Sequence, residues 1–99
     1  MTLDQIKKIA EPVCRKFEVQ RLDVFGSLAR GEGTLGSDVD LLVEFENPDL
    51  NLTRRFFGLL HSLEDTFDCK VDLLTASGLR NPYFRRKILE SRVKIYGGR

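Results

Sequence analysis

The sequence predicts an α/β fold (α+β in its segregation), a mixed β-sheet covered by helices. Three observations predict it. Apolar residues recur at helical spacing in two long stretches, Leu3 to Phe17 and Phe56 to Phe67. Short β-branched or apolar runs at 21–25, 39–45 and 70–75 alternate with those stretches and are bounded by Gly, Pro or Asn. The links also differ. A short Gly-rich link joins the first two runs, which suits an antiparallel pair, and a whole helix separates the second from the third, which allows a crossover.

Each element has its own signal. Thr2 and Gln5 have the spacing of a capping box, and Leu3, Ile6, Ile9, Ala10, Val13 and Phe17 follow on one helical face. Pro12 is expected to kink or split that helix, because it has no N–H for the preceding turn. Arg21-Leu22-Asp23-Val24-Phe25 reads as a short strand. Ser27 is a candidate N-cap for a brief helix over 28–30, and Gly31, Gly33 and Gly36 make the next segment a loop. In the strand 39–45, Val39, Leu41, Val43 and Phe45 face one way, and Asp38, Asp40, Leu42 and Glu44 the other.

Asn47-Pro48-Asp49 ends that strand, and a helix starts near Asn51 or Thr53 with Phe56, Leu59, Leu60, Leu63 and Phe67 as its core stripe. A third strand covers 70–75, Ser77-Gly78 turns the chain, and Pro82 suits the first turn of a last helix anchored by Tyr83 and Phe84. Val93 to Tyr96 closes the order as a short strand, with Gly97-Gly98-Arg99 as a frayed end.

The 99 residues are expected to form a single domain, 1–99, with one core. The 41% hydrophobic and 31% charged content reads as soluble, and no apolar run is long enough to span a membrane. Residues 1–20 are too charged for a secretion signal. Cys14 and Cys69 stand far apart without metal-ligand spacing, so reduced thiols and a cytoplasmic location are expected. The net charge of +1 hides an asymmetry. Residues 1–72 carry nine cations against fourteen acids, whereas 73–99 carry seven cations and only Glu90. The basic segment can meet nucleic acid or an acidic partner, but without an aromatic stacking surface the simpler reading is a solvated helix face. Arg54-Arg55 is most simply a solvated helix start, yet two cations there oppose the helix dipole and can mark a phosphate or acidic contact. His61 reads as helix surface, and Phe56-Phe57 as core plus an interface edge.

Chemistry concentrates in Val24-Phe25-Gly26-Ser27-Leu28-Ala29-Arg30-Gly31 and Ser37-Asp38-Val39-Asp40. Asp38 and Asp40, two residues apart on a strand, lie on one face about 6.5 Å apart and repel each other unless a cation sits between them. Asp72 interrupts another apolar strand. Gly26 lets backbone approach a phosphate, Ser27 can donate to it, and Arg30 can neutralise it or pair with a nearby acid. Two magnesium ions held by carboxylates would activate an acceptor hydroxyl and steady a triphosphate, and manganese can take their place.

Gly26-Ser27-x-Ala29-Arg30-Gly31-x5-Ser37-Asp38-x-Asp40 resembles the signature of the polymerase-β-type nucleotidyltransferase superfamily. With Val71-Asp72-Leu73 and the short length, the chain looks like its minimal, MNT-type branch, found as antitoxins beside HEPN toxins. The resemblance implies a polymerase-β-like nucleotidyltransferase fold. It implies Gly26, Ser27 and Arg30 as nucleotide-binding residues, and Asp38, Asp40 and Asp72 as catalytic metal ligands. It further implies ATP or another nucleoside triphosphate as donor, and a hydroxyl of a HEPN-type toxin as acceptor. Larger members append an acceptor-binding domain. At this length a partner or a homo-oligomer is expected to supply that surface. Two other readings stay open: a non-catalytic antitoxin that binds nucleotide and acts by occlusion, and transfer to a small molecule or an RNA end.

Overall fold

The computed structural model describes residues 2–26, 28–31 and 38–97. The Thr2 side chain accepts from the Gln5 N–H while Gln5 Oε1 accepts from the Thr2 N–H, and this capping box opens α1, Leu3–Lys16. The helix runs through Pro12 unbroken, contrary to the expected split. Pro12 lies on the exposed side, where the carbonyl it leaves without a donor can turn to water. Ile6, Ala10 and Cys14 form the buried stripe.

Strand β1, Val19–Phe25, starts two residues earlier than expected and pairs antiparallel with β2, Val39–Phe45. A register shift between Val19 and Arg21 marks a bulge, so Val19 reaches the same core as Leu22 and Val24 despite its odd spacing. After Gly26 the chain curls back, with Arg30 N–H donating to the Gly26 carbonyl and Gly31 N–H to that of Leu28. Residues 28–30 are a turn rather than the expected brief helix. Ser27, the proposed cap, and Gly33, Gly36 and Ser37 lie outside the described residues.

Helix α2, Leu52–Phe67, carries the chain over one sheet face and makes β3, Val71–Thr75, parallel to β2. A 3₁₀ turn at Ala76–Gly78 leads to α3, Pro82–Ser91, capped by the Asn81 side chain. Strand β4, Val93–Gly97, pairs antiparallel with β1 and completes a sheet of order β3-β2-β1-β4. Gly97 is not frayed. It pairs with Arg21 at φ +67°, and a Cβ there would strike the Gln20 carbonyl.

The alternation predicted for β2 divides the molecule. Val39, Leu41, Val43 and Phe45 join α1 and α2 in the main core, with Leu59, Leu63 and Phe67 from the α2 stripe. Leu42 faces the opposite side, where it packs with Phe25, Leu79 and Ile88 beneath α3. Tyr83 and Phe84 do not anchor α3. They are 84% and 49% exposed, and Ile88 is the buried residue, so the basic helix does present aromatic surface. His61 is a surface residue stacked on Phe57, as expected.

Arg55 overturns the reading of a solvated or phosphate-facing helix start. Its Nε donates to the Phe17 carbonyl at 3.1 Å, Nη1 to those of Asn47 and Leu50, and Nη2 to those of Glu18 and Glu46. All five guanidinium donors are thereby used, and the group lies 4.8 Å from the Phe45 ring centre. It ties the end of α1 to the exit of β2.

Candidate active site

Antiparallel pairing sets the end of β1 beside the start of β2, and parallel pairing sets the start of β3 on the other side. Phe25 is opposite Asp40, and Asp40 is opposite Asp72. Register alone thus brings a turn and two carboxylates, far apart in sequence, to one sheet end on the α3 face. The Asp40 and Asp72 carboxyls stand near enough to perturb each other. Burial, then the Asp72 carboxyl, then Asp38, push the Asp40 carboxyl above its usual range, and Arg30 pulls it back. Asp38, exposed just before β2, is therefore near enough to act on Asp40 electrostatically.

Gly26 has φ +74°, and a Cβ built on it would run into the Asp40 carboxylate. Both the backbone conformation and the close approach exclude a larger residue. Arg30 stands in the field of Asp40 and also lines a cavity with Gly26. Ser27 lies outside the described residues.

Among the described residues no three acidic, histidine or cysteine side chains already converge as metal ligands. The donor set nevertheless fits a hard divalent cation. Asp40 and Asp72, opposite each other on β2 and β3, repel, and a cation between them would relieve that repulsion. Asp38, Asp40 and Asp72 would hold it.

Sequence reasoning missed the far wall of this site. A cavity of about 410 Å³ opens between Gly26 and Arg30 on one side and Phe84, Lys87, Ile88 and Ser91 of α3 on the other. The signal was available, since these four stand at i, i+3, i+4 and i+7 on one helix face. A second cavity, of about 260 Å³, lies at the opposite end of β2 beside Glu44 and Thr75, away from the carboxylates. Asp23 was also missed. It is 1% exposed, on the α3 side of β1, held by Arg21 at 2.9 Å and Arg92 at 3.3 Å.

Residues 6–95 match the family model of the nucleotidyltransferase domain. The chain belongs to this family. This nucleotidyltransferase is 35% identical over 98 residues to a Methanocaldococcus jannaschii protein named as a candidate protein adenylyltransferase, covering 95% of this chain and 98% of that one. It superposes with TM-score 0.70 and 35% identity on a solved structure described as a candidate minimal nucleotidyltransferase, covering 94% and 95% of the two chains. The nucleotidyltransferase also shares its fold, at TM-score 0.60 and 18% identity, with a chain in a solved complex from Shewanella oneidensis. That complex joins a tri-AMPylated HEPN toxin to an MNT antitoxin, and the match covers 96% of this chain and 73% of the other. The three helices and four-stranded mixed sheet are thus the polymerase-β-like fold of minimal nucleotidyltransferases. Among the described residues no helix is long and apolar enough to cross a membrane.

Proposed function

We propose that this nucleotidyltransferase moves AMP from ATP to a hydroxyl of a partner protein, a HEPN-type toxin for which it is the antitoxin. The observation that carries the reading is the Asp40–Asp72 pair, held in register across β2 and β3 and abutted by the Gly26 turn. The relatives support the chemistry and the partner. One is named for protein adenylylation, and a fold neighbour is a toxin–antitoxin complex with an AMPylated HEPN toxin.

Asp38, Asp40 and Asp72 would hold divalent ions, which when bound would acidify the acceptor hydroxyl and stabilise the triphosphate. Asp72, exposed where Asp40 is half-buried, faces the incoming hydroxyl and takes up its proton. The hydroxyl oxygen bonds to the α-phosphorus, the bond to the β-phosphate breaks, and pyrophosphate leaves with the electron pair. Gly26 allows backbone to lie against the phosphates, Ser27 donates to them, and Arg30 balances their charge.

The test is labelling. Protein, labelled ATP, magnesium and a candidate HEPN-type partner protein are mixed, with the Asp38→Asn/Asp40→Asn variant as control. Label on the toxin with the wild type alone is expected. A wild type that blocks toxicity yet leaves the toxin unlabelled overturns catalysis in favour of occlusion. Label that appears only on RNA or a small alcohol overturns the protein acceptor.

A further inference from the structure

We propose that Lys87 of α3 binds the β- and γ-phosphates of the nucleoside triphosphate and then the departing pyrophosphate, across the cavity from Gly26 and Arg30. The inference rests on the nucleotidyltransferase reading and adds a residue from an element outside the sequence motif.

Three observations carry it. The cavity is bounded by Gly26, whose other side abuts the Asp40 carboxylate, so it adjoins the candidate metal ligands across that one residue. Among the described residues its lining holds two cations, Arg30 and Lys87, the Ser91 side chain, and no acid. A cavity with that charge beside a carboxylate cluster favours the anionic end of a triphosphate over the nucleoside. The other basic residues of α3 and its C-cap each have a partner. Arg85 donates to the Ala76 carbonyl, Arg86 pairs with Glu90, and Arg92 pairs with Asp23. Lys87 lies on the cavity face, and among the described residues its ammonium pairs with no acid.

The geometry also assigns a reason for a cation here. Bond breaking at the α-phosphorus puts new negative charge on the bridging oxygen and the pyrophosphate. An ammonium already in place stabilises that charge without reorganisation. Phe84, half-exposed on the same face, adds an apolar edge to the cavity.

Calorimetry with magnesium and a non-hydrolysable ATP analogue, pyrophosphate or AMP tests the assignment on wild type, Lys87→Gln, Lys87→Arg and Arg86→Ala. Lys87→Gln is expected to weaken the triphosphate analogue and pyrophosphate about tenfold, the loss of one charge-assisted contact. AMP binding should stay unchanged. Lys87→Arg should retain most of the affinity, and Arg86→Ala all of it. Product inhibition by pyrophosphate should weaken about tenfold in Lys87→Gln. Equal loss of AMP binding would place the nucleoside in the cavity and overturn the proposal. So would a Lys87→Gln variant that binds every ligand as wild type does. If that variant's wild-type parent still labels its partner, the nucleotidyltransferase reading stands while this assignment falls. A wild type that binds no triphosphate overturns both.

Discussion

Three residues do work that their residue types alone do not announce. Gly26 is fixed by a left-handed backbone and by the Asp40 carboxylate against its Cα. Gly26→Ala is expected to abolish transfer while circular dichroism shows the fold retained, because the alanine methyl must displace the Asp40 carboxylate. Arg55 anchors five carbonyls from three segments, so Arg55→Ala should lower unfolding free energy by about 2–3 kcal/mol in urea titration. Arg55→Lys should recover little of it, since an ammonium cannot fork toward five acceptors. Burial pushes the Cys14 thiol up from 9.0 to about 12. The native thiol therefore holds its proton more tightly than the unfolded one. Stability is unaffected below about pH 9 and falls as pH rises from there toward 12, by at most about 1.4 kcal/mol per pH unit. Urea midpoints at about pH 8 and pH 10.5 should show this slope in the wild type and lose it in Cys14→Ala.

At the scale of elements, local signals and tertiary context meet most clearly in α1 and α3. The Thr2–Gln5 capping box was legible because its partners are three residues apart. The fate of Pro12 was not, because whether a helix survives a proline depends on what faces the orphaned carbonyl. Here an exposed surface and a buried stripe of Ile6, Ala10 and Cys14 keep α1 whole. Pro12→Ala should therefore raise the thermal midpoint, with a gain of about 1–3 kcal/mol from the restored hydrogen bond and removed clash. In α3 the cap at Asn81 and the proline at the first position were equally readable. The aromatic pair that follows was misassigned. Tyr83 and Phe84 precede the residue that docks, Ile88, and no local pattern says which turn of an amphipathic helix meets the sheet.

For the whole molecule the decisive arrangement is a sheet with two unlike faces. One is a continuous apolar core under α1 and α2, and the other combines a small apolar cluster with Asp23, Asp40 and Asp72. Repulsion among acids at one sheet end is a cost of the unliganded state that a bound ion relieves. Magnesium with a non-hydrolysable ATP analogue should raise the thermal midpoint. At about 100 times Kd the gain is about 2.7 kcal/mol, about 10–20 °C for a domain of this size. A chelator should reverse the gain, and Asp40→Asn should reduce it. An equal shift without the metal would separate nucleotide binding from the carboxylates.

The sequence by itself determined the alternation of elements, the sidedness of β2 and the motif from Gly26 to Asp40, because periodicity, capping and i, i+2 spacing act over a few residues. It also marked Asp72 as an acid with no business in an apolar strand. Tertiary structure decided what these residues face. Parallel pairing of β2 with β3 set Asp72 against Asp40, 32 positions away, and antiparallel pairing laid Gly26 beside Asp40. Only the packing of α3 on that face brought Lys87 across the cavity from Arg30, and only folding gathered five carbonyls around Arg55. Contacts between residues distant in sequence depend on register and on which helix face docks. Those are properties of the assembled sheet, not of any local stretch of chain.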